Sequence, residues 1–96
     1  MATKKKLPYV VVRTYSAGVH VGEIVARKGP EVTLRNARRV WSWKGALTLN
    51  EMANGGVAAG SRVSAPVSEV VLTGAIEILF TSAAGHASLE NASWSP

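Results

Sequence analysis

The chain has 96 residues, no cysteine and a net charge of +5, so it forms one small domain without disulfide staples or thiolate metal sites. Apolar residues make up 47% and charged residues 18%, a balance that excludes an intrinsically disordered chain. No apolar run approaches the roughly 18 residues of a membrane span, and no secretory core follows the basic start, so no membrane partner is expected.

Residues 1–6 end in Lys4, Lys5 and Lys6, which read as a flexible basic arm able to touch nucleic acid. Without those three lysines the balance falls to +2, so the body of the protein is only mildly basic. Residues 7–90 are expected to form a single β-rich domain, with residues 91–96 as a tail that carries Trp94. A domain this small and unstapled is expected to gain stability by associating with itself.

Tyr9 to Tyr15 is dense in β-branched and aromatic residues and predicts a first strand. Ser16-Ala17-Gly18 supplies a turn, and Val19 to about Arg27 a second strand. Lys28-Gly29-Pro30 turns the chain again into Glu31-Val32-Thr33-Leu34-Arg35, a third strand of clean alternation. Val40 to Trp43 is either a fourth strand or a continuation of the third after a bulge at Asn36-Ala37. Thr48-Leu49-Asn50-Glu51 has the form of a capping box and opens a short helix that Gly55-Gly56 stops. Leu49, Met52 and Ala53 form its buried stripe. Val57 to Pro66 reads as a loop. Val67–Leu72 and Ala75–Phe80 are strands separated by Thr73-Gly74, and Thr81 or Ser82 caps a last helix reaching about Glu90. The fold class is therefore mostly β, a small antiparallel meander, roll or partly open barrel of five or six strands with two short helices. A helix or a second copy is expected to cover the sheet edges.

Catalysis has little support. There is no aspartate, no Gly-x-Ser-x-Gly elbow and no phosphate loop, and His20 and His86 lack the spacing of metal ligands. No enzymatic activity, no metal and no cofactor is expected.

The residues with recognition chemistry are the arginines and their aromatic neighbours. In Arg38-Arg39-Val40-Trp41-Ser42-Trp43-Lys44, strand periodicity sets Trp41 and Trp43 side by side, with Arg39 in the same row. A flat aromatic surface edged by guanidinium suits a planar anionic ligand, although at least one of the two indoles is expected to close a small core instead. Arg13 shares its strand face with Tyr9 and Tyr15 and repeats the arrangement. Arg35 adds a further donor fork for phosphate. Ser16, Gly18 and His20 surround one hairpin turn whose freed amides would bond an oxyanion.

Val11-Val12-Arg13-Thr14-Tyr15-Ser16-Ala17-Gly18-Val19-His20-Val21-Gly22 and Arg35-Asn36-Ala37-Arg38-Arg39-Val40-Trp41-Ser42-Trp43-Lys44-Gly45-Ala46 together resemble a family of small uncharacterised bacteriophage and prophage proteins. Thr48-Leu49-Asn50-Glu51-Met52-Ala53 and Ala75-Ile76-Glu77-Ile78 extend the resemblance from about Tyr9 to Leu89. The basic arm, the tail after Asn91 and Leu79-Phe80 depart from it. The resemblance implies a viral origin, a place in the host cytoplasm or the virion, and no assigned activity.

By analogy, a compact phage β domain with Arg and Trp clusters fits a non-enzymatic homo-oligomeric protein that sequesters an anionic, nucleotide-derived defence signal. Arg13, Arg35, Arg38 and Arg39 would meet phosphate. Trp41, Trp43 or Tyr15 would stack on the base, at about 1–3 kcal/mol per base. The alternatives are a structural or assembly protein of the virion and a nucleic-acid-binding accessory protein.

Overall fold

The computed structural model describes residues 7–92. The elements run β1 (Tyr9–Thr14), β2 (Val19–Lys28), β3 (Glu31–Ser42), α1 (Leu49–Gly55), β4 (Arg62–Val63), β5 (Val67–Leu72), β6 (Ala75–Phe80) and α2 (Ala83–Asn91). Lys4, Lys5, Lys6 and Trp94 lie outside the described residues.

All strand pairs are antiparallel, in the order β4-β3-β2-β1-β6, and β5 pairs with β3. Because β2 occupies one side of β3, the short β4 and the longer β5 share the other side. β5 and β6 thus stand at opposite ends of the strand order, yet only Thr73-Gly74 separates them. Three peptide steps span about 11 Å at most, so the sheet coils until its two edges approach each other. The Ala75 N–H donates to Pro30 O at 3.0 Å and ties the start of β6 to the β2–β3 turn. This is the expected roll, left open along the outer edge of β6.

The roll has two cores. Its interior is filled by Val10, Val12, Val32, Leu34, Ala37 and Leu72, with Ile24 and Ile78 at the margin. The opposite face of the sheet carries Tyr9, Val11, Val21, Val40 and Val63, which pack under Met52 and Ala53 of α1 and Leu89 of α2. β1 passes between the two cores, so Tyr9, Val10, Val11 and Val12 are all buried. That burial on both faces explains the unbroken valine run in the sequence.

Both helices are short and held by caps. Thr48 Oγ1 accepts from Glu51 N at 3.4 Å, as a capping box requires. The Glu51 carboxylate, however, accepts from Leu47 N at 2.6 Å and not from Thr48, so the box closes one residue earlier than expected. Ser82 caps α2 by accepting from Gly85 N at 3.0 Å, while Thr81 donates to Tyr9 O at 2.7 Å.

Two irregularities govern where side chains point. Asn36 takes a left-handed φ of 51°, and the β2–β3 register slips beside it. β3 therefore continues as one strand from Glu31 to Ser42, with the bulge expected at Asn36-Ala37. A second slip lies between Val40 and Ser42, opposite Val63 and Arg62. The strand it pairs with there, β4, falls inside the segment expected to be a loop.

Candidate functional site

The second bulge decides the fate of the tryptophan pair. In an uninterrupted strand Trp41 and Trp43 would share a face, but an extra residue between Val40 and Ser42 reverses the alternation. Trp43 turns to the helix side, packs against that core with Val19 and Leu49, and donates its indole N–H to Ala46 O at 3.2 Å. Trp41 stays on the other face, 60% exposed, with the Arg62 guanidinium 4.9 Å from its ring centroid. The expected side-by-side row does not form.

Arg38 and Arg39 separate in the same way, by ordinary alternation. Arg38 points to the helix side and is buried. Its Nε donates to Ser64 O at 2.7 Å, and one terminal nitrogen donates to Leu89 O at 2.8 Å and Glu90 O at 2.9 Å. The other terminal nitrogen bonds Ala92 O. Leu89 and Glu90 are among the carbonyls that the last turn of α2 leaves without helical partners, and a cation suits the negative end of the helix. Arg38 thus joins α2 to the segment after β4, on the face of the sheet opposite Arg39.

Arg39 points to the roll side, where it meets His20 from β2. These two are register partners, and Arg39 Nε donates to His20 Nε2 at 3.2 Å. A guanidinium only donates, so His20 Nε2 has to be the bare, accepting nitrogen and the ring is neutral. The remaining proton then sits on Nδ1, which is buried without a protein partner among the described residues. Burial, together with the Arg39 charge, lowers the His20 pKa from its ordinary 6.5.

Around this pair lies a recess of about 280 Å³ lined by His20, Ala37, Arg39, Ser64, Val67 and Val70. Arg39 is exposed at its lip and pairs with no carboxylate among the described residues. The Ser64 hydroxyl accepts from the Arg39 backbone N–H at 2.9 Å and fixes that stretch of β3. Since Val40 and Val63 face the helix-side core, Arg39, Trp41 and Arg62 occupy the other face together. Roughly 7 Å of strand separates the Arg39 and Trp41 backbones. The result is a guanidinium held by an imidazole beside a small apolar recess, with a stacked indole and guanidinium next to it.

The other expected site residues fall elsewhere. Arg13 and Trp43 line a separate depression of about 370 Å³ with Leu47, Asn50 and Glu77, and Arg13 lies 3.9 Å from the Glu77 carboxylate. Tyr9 is buried and stacks on His86 with ring centroids 4.1 Å apart, so it offers Arg13 no exposed aromatic neighbour. Tyr15 is 85% exposed beyond the end of β1. Arg35 is exposed between its register partners Glu23 and Glu69. Ser16 and Gly18 remain at the hairpin turn, where Thr14 Oγ1 donates to Gly18 O and accepts from Ala17 N, both at 2.8 Å. His20 lies further along β2 and takes no part in that turn.

The chain belongs to the family described as a domain of unknown function, DUF6948. The family match covers residues 7–89, from just before β1 to Leu89 in α2, and so includes every residue of the recess. No curated protein and no solved structure matches the chain. Sequence reasoning missed Arg62 and Ser64. Their only signal is the polar-apolar-polar alternation of Arg62-Val63-Ser64, hidden among glycine, alanine and proline.

Among the described residues, no group of three or more His, Cys, Asp or Glu side chains is placed to hold a metal ion. No helix there is long and apolar enough to cross a membrane.

Proposed function

We propose that this chain is a non-enzymatic binding protein for a small anionic, nucleotide-like ligand, held on the outer face of β3. Arg39 takes the phosphate or carboxylate group, and Trp41, 60% exposed beside Arg62, takes the planar group. One observation carries this reading: the Arg39 guanidinium is held at its Nε by His20, at the lip of an apolar recess, with no acidic partner among the described residues. A guanidinium held this way has already lost part of the rotamer freedom that binding would otherwise remove.

The finer reading is that of a phage or prophage accessory protein that sequesters a nucleotide-derived signal in the host cytoplasm. Its support is the ligand chemistry alone. A virion component and a nucleic-acid binder remain the alternative readings. In the latter, Lys4, Lys5 and Lys6 would supply the salt-dependent contacts.

Native mass spectrometry of the whole chain with a panel of linear and cyclic nucleotides tests the proposal. A retained nucleotide is expected, with at least tenfold weaker retention for Arg39→Ala and a smaller loss for Trp41→Ala. No retained species across the panel, or retention indifferent to Arg39, ends this reading.

A second reading, self-association, has its own observation. The Thr81 N–H donates to Tyr9 O at 3.1 Å, and antiparallel bonds recur at every second residue. Leu79 and Glu77 therefore bond inward to β1, and the backbone groups of Ile78 and Phe80 face the outer edge of β6. Beside that edge, Ile76 and Phe80 are 55% and 65% exposed. We propose that a second copy pairs along this edge.

A further inference from the structure

His20 supplies more than a wall of the recess. It is 3% exposed, its Nε2 accepts from Arg39, and its Nδ1 has no protein partner among the described residues. Its surroundings contain one charge. β1 presents Val12, β3 presents Ala37 and Arg39, and the chain from Ser64 through β5 presents Ser64, Val67 and Val70. No carboxylate faces the ring, so a proton added to it would meet nothing but a second cation.

Resting on the anion-binding reading above, we propose that His20 couples occupancy of the recess to pH, so that an oxyanion on Arg39 and a proton on His20 bind cooperatively. Without an anion, protonation turns Nε2 from acceptor to donor, breaks the Arg39 hydrogen bond and opposes two positive charges. With an oxyanion on Arg39, the added negative charge offsets that repulsion and offers imidazolium a counter-ion. The anion therefore raises the affinity of His20 for a proton. By linkage, the proton raises the affinity of the recess for the anion by the same factor. Because a single group titrates, the gain is at most tenfold per pH unit.

Inorganic sulfate is the suitable probe, because its charge does not change near neutral pH while that of phosphate does. Calorimetric titration of the whole chain at about pH 5.5 and about pH 7.5 brackets the ordinary histidine range. Several-fold tighter binding is expected at the lower pH. His20→Gln keeps an acceptor for Arg39 but cannot titrate, and is expected to bind sulfate equally at both pH values. Should that variant fail to fold, the ring resonances of His20 in the unaltered chain report the same linkage. They are expected to titrate at higher pH in sulfate than without it.

Equal sulfate affinity at both pH values, or a His20 titration indifferent to sulfate, overturns the coupling and leaves anion binding standing. No sulfate binding at either pH overturns the anion site, and this proposal with it.

Discussion

At the scale of single residues, two adjacent arginines show how one step along a strand separates a structural role from a binding role. Arg38 and Arg39 have the same chemistry and consecutive positions, but β3 directs one to the helix side and the other to the roll side. Arg38 satisfies carbonyls at the end of α2 and at Ser64. Its removal leaves several of these without partners, at a cost of about 3 kcal/mol. Arg38→Ala is expected to lower the unfolding free energy from urea titration by that amount, with a matching fall in the midpoint, without changing the pH dependence of anion binding. Arg38→Lys is expected to recover little, because an ammonium lacks the fork that reaches both segments. A midpoint unchanged in Arg38→Ala would show that this bonding contributes nothing net.

At the scale of elements, the close contact of α1 and α2 and the open edge of β6 are the consequential features. Glycine inside a helix, as at Gly85, is ordinarily destabilising. In the fold, a Cβ at this position would lie 2.1 Å from Ala53 O, so glycine is what allows α2 to approach α1. The β6 edge carries no lysine or proline, and its one bulge, at Ile76, sits near the start of the strand and leaves Glu77 to Phe80 regular. If a second copy pairs there, sedimentation of the unaltered chain will show mass rising with concentration. Phe80→Lys will remain monomeric with an unchanged circular dichroism spectrum, because Phe80 is mostly exposed and contributes little to the core. A chain that stays monomeric at every concentration ends the self-pairing reading.

At the scale of the whole molecule, two buried titratable side chains bound the pH range of greatest stability. Burial and Arg39 lower the His20 pKa below the 6.5 it has when unfolded. The unfolded chain therefore takes up a proton first, and stability declines as pH falls below about 6.5. Burial acts on Tyr9 in the opposite direction, raising its pKa from 10.0 to about 12. Here the unfolded chain loses a proton first, so stability is complete below 10.0 and declines as pH rises toward 12. Thermal unfolding across pH should therefore show a plateau with two falling limbs. His20→Gln is expected to flatten the acid limb and Tyr9→Phe the alkaline one. Limbs that persist unchanged in those variants would assign them to other groups.

Strand alternation, turn residues and helix caps were legible in the sequence because each depends on a few neighbouring side chains. They determined the β-rich class, nearly every element and the helix start at Thr48, narrowed the second helix start to Thr81 or Ser82, and left the bulge at Asn36-Ala37 as one of two readings. Which arginine reaches solvent, which tryptophan enters the core and which residue joins His20 were decided by the tertiary structure. The bulge between Val40 and Ser42 has no local mark, since it arises where β3 pairs with Arg62 and Val63, some twenty residues away. One inserted residue there reverses every side chain beyond it, and the recess exists only once the coiling of the sheet brings Val67 and Val70 over His20 and Arg39.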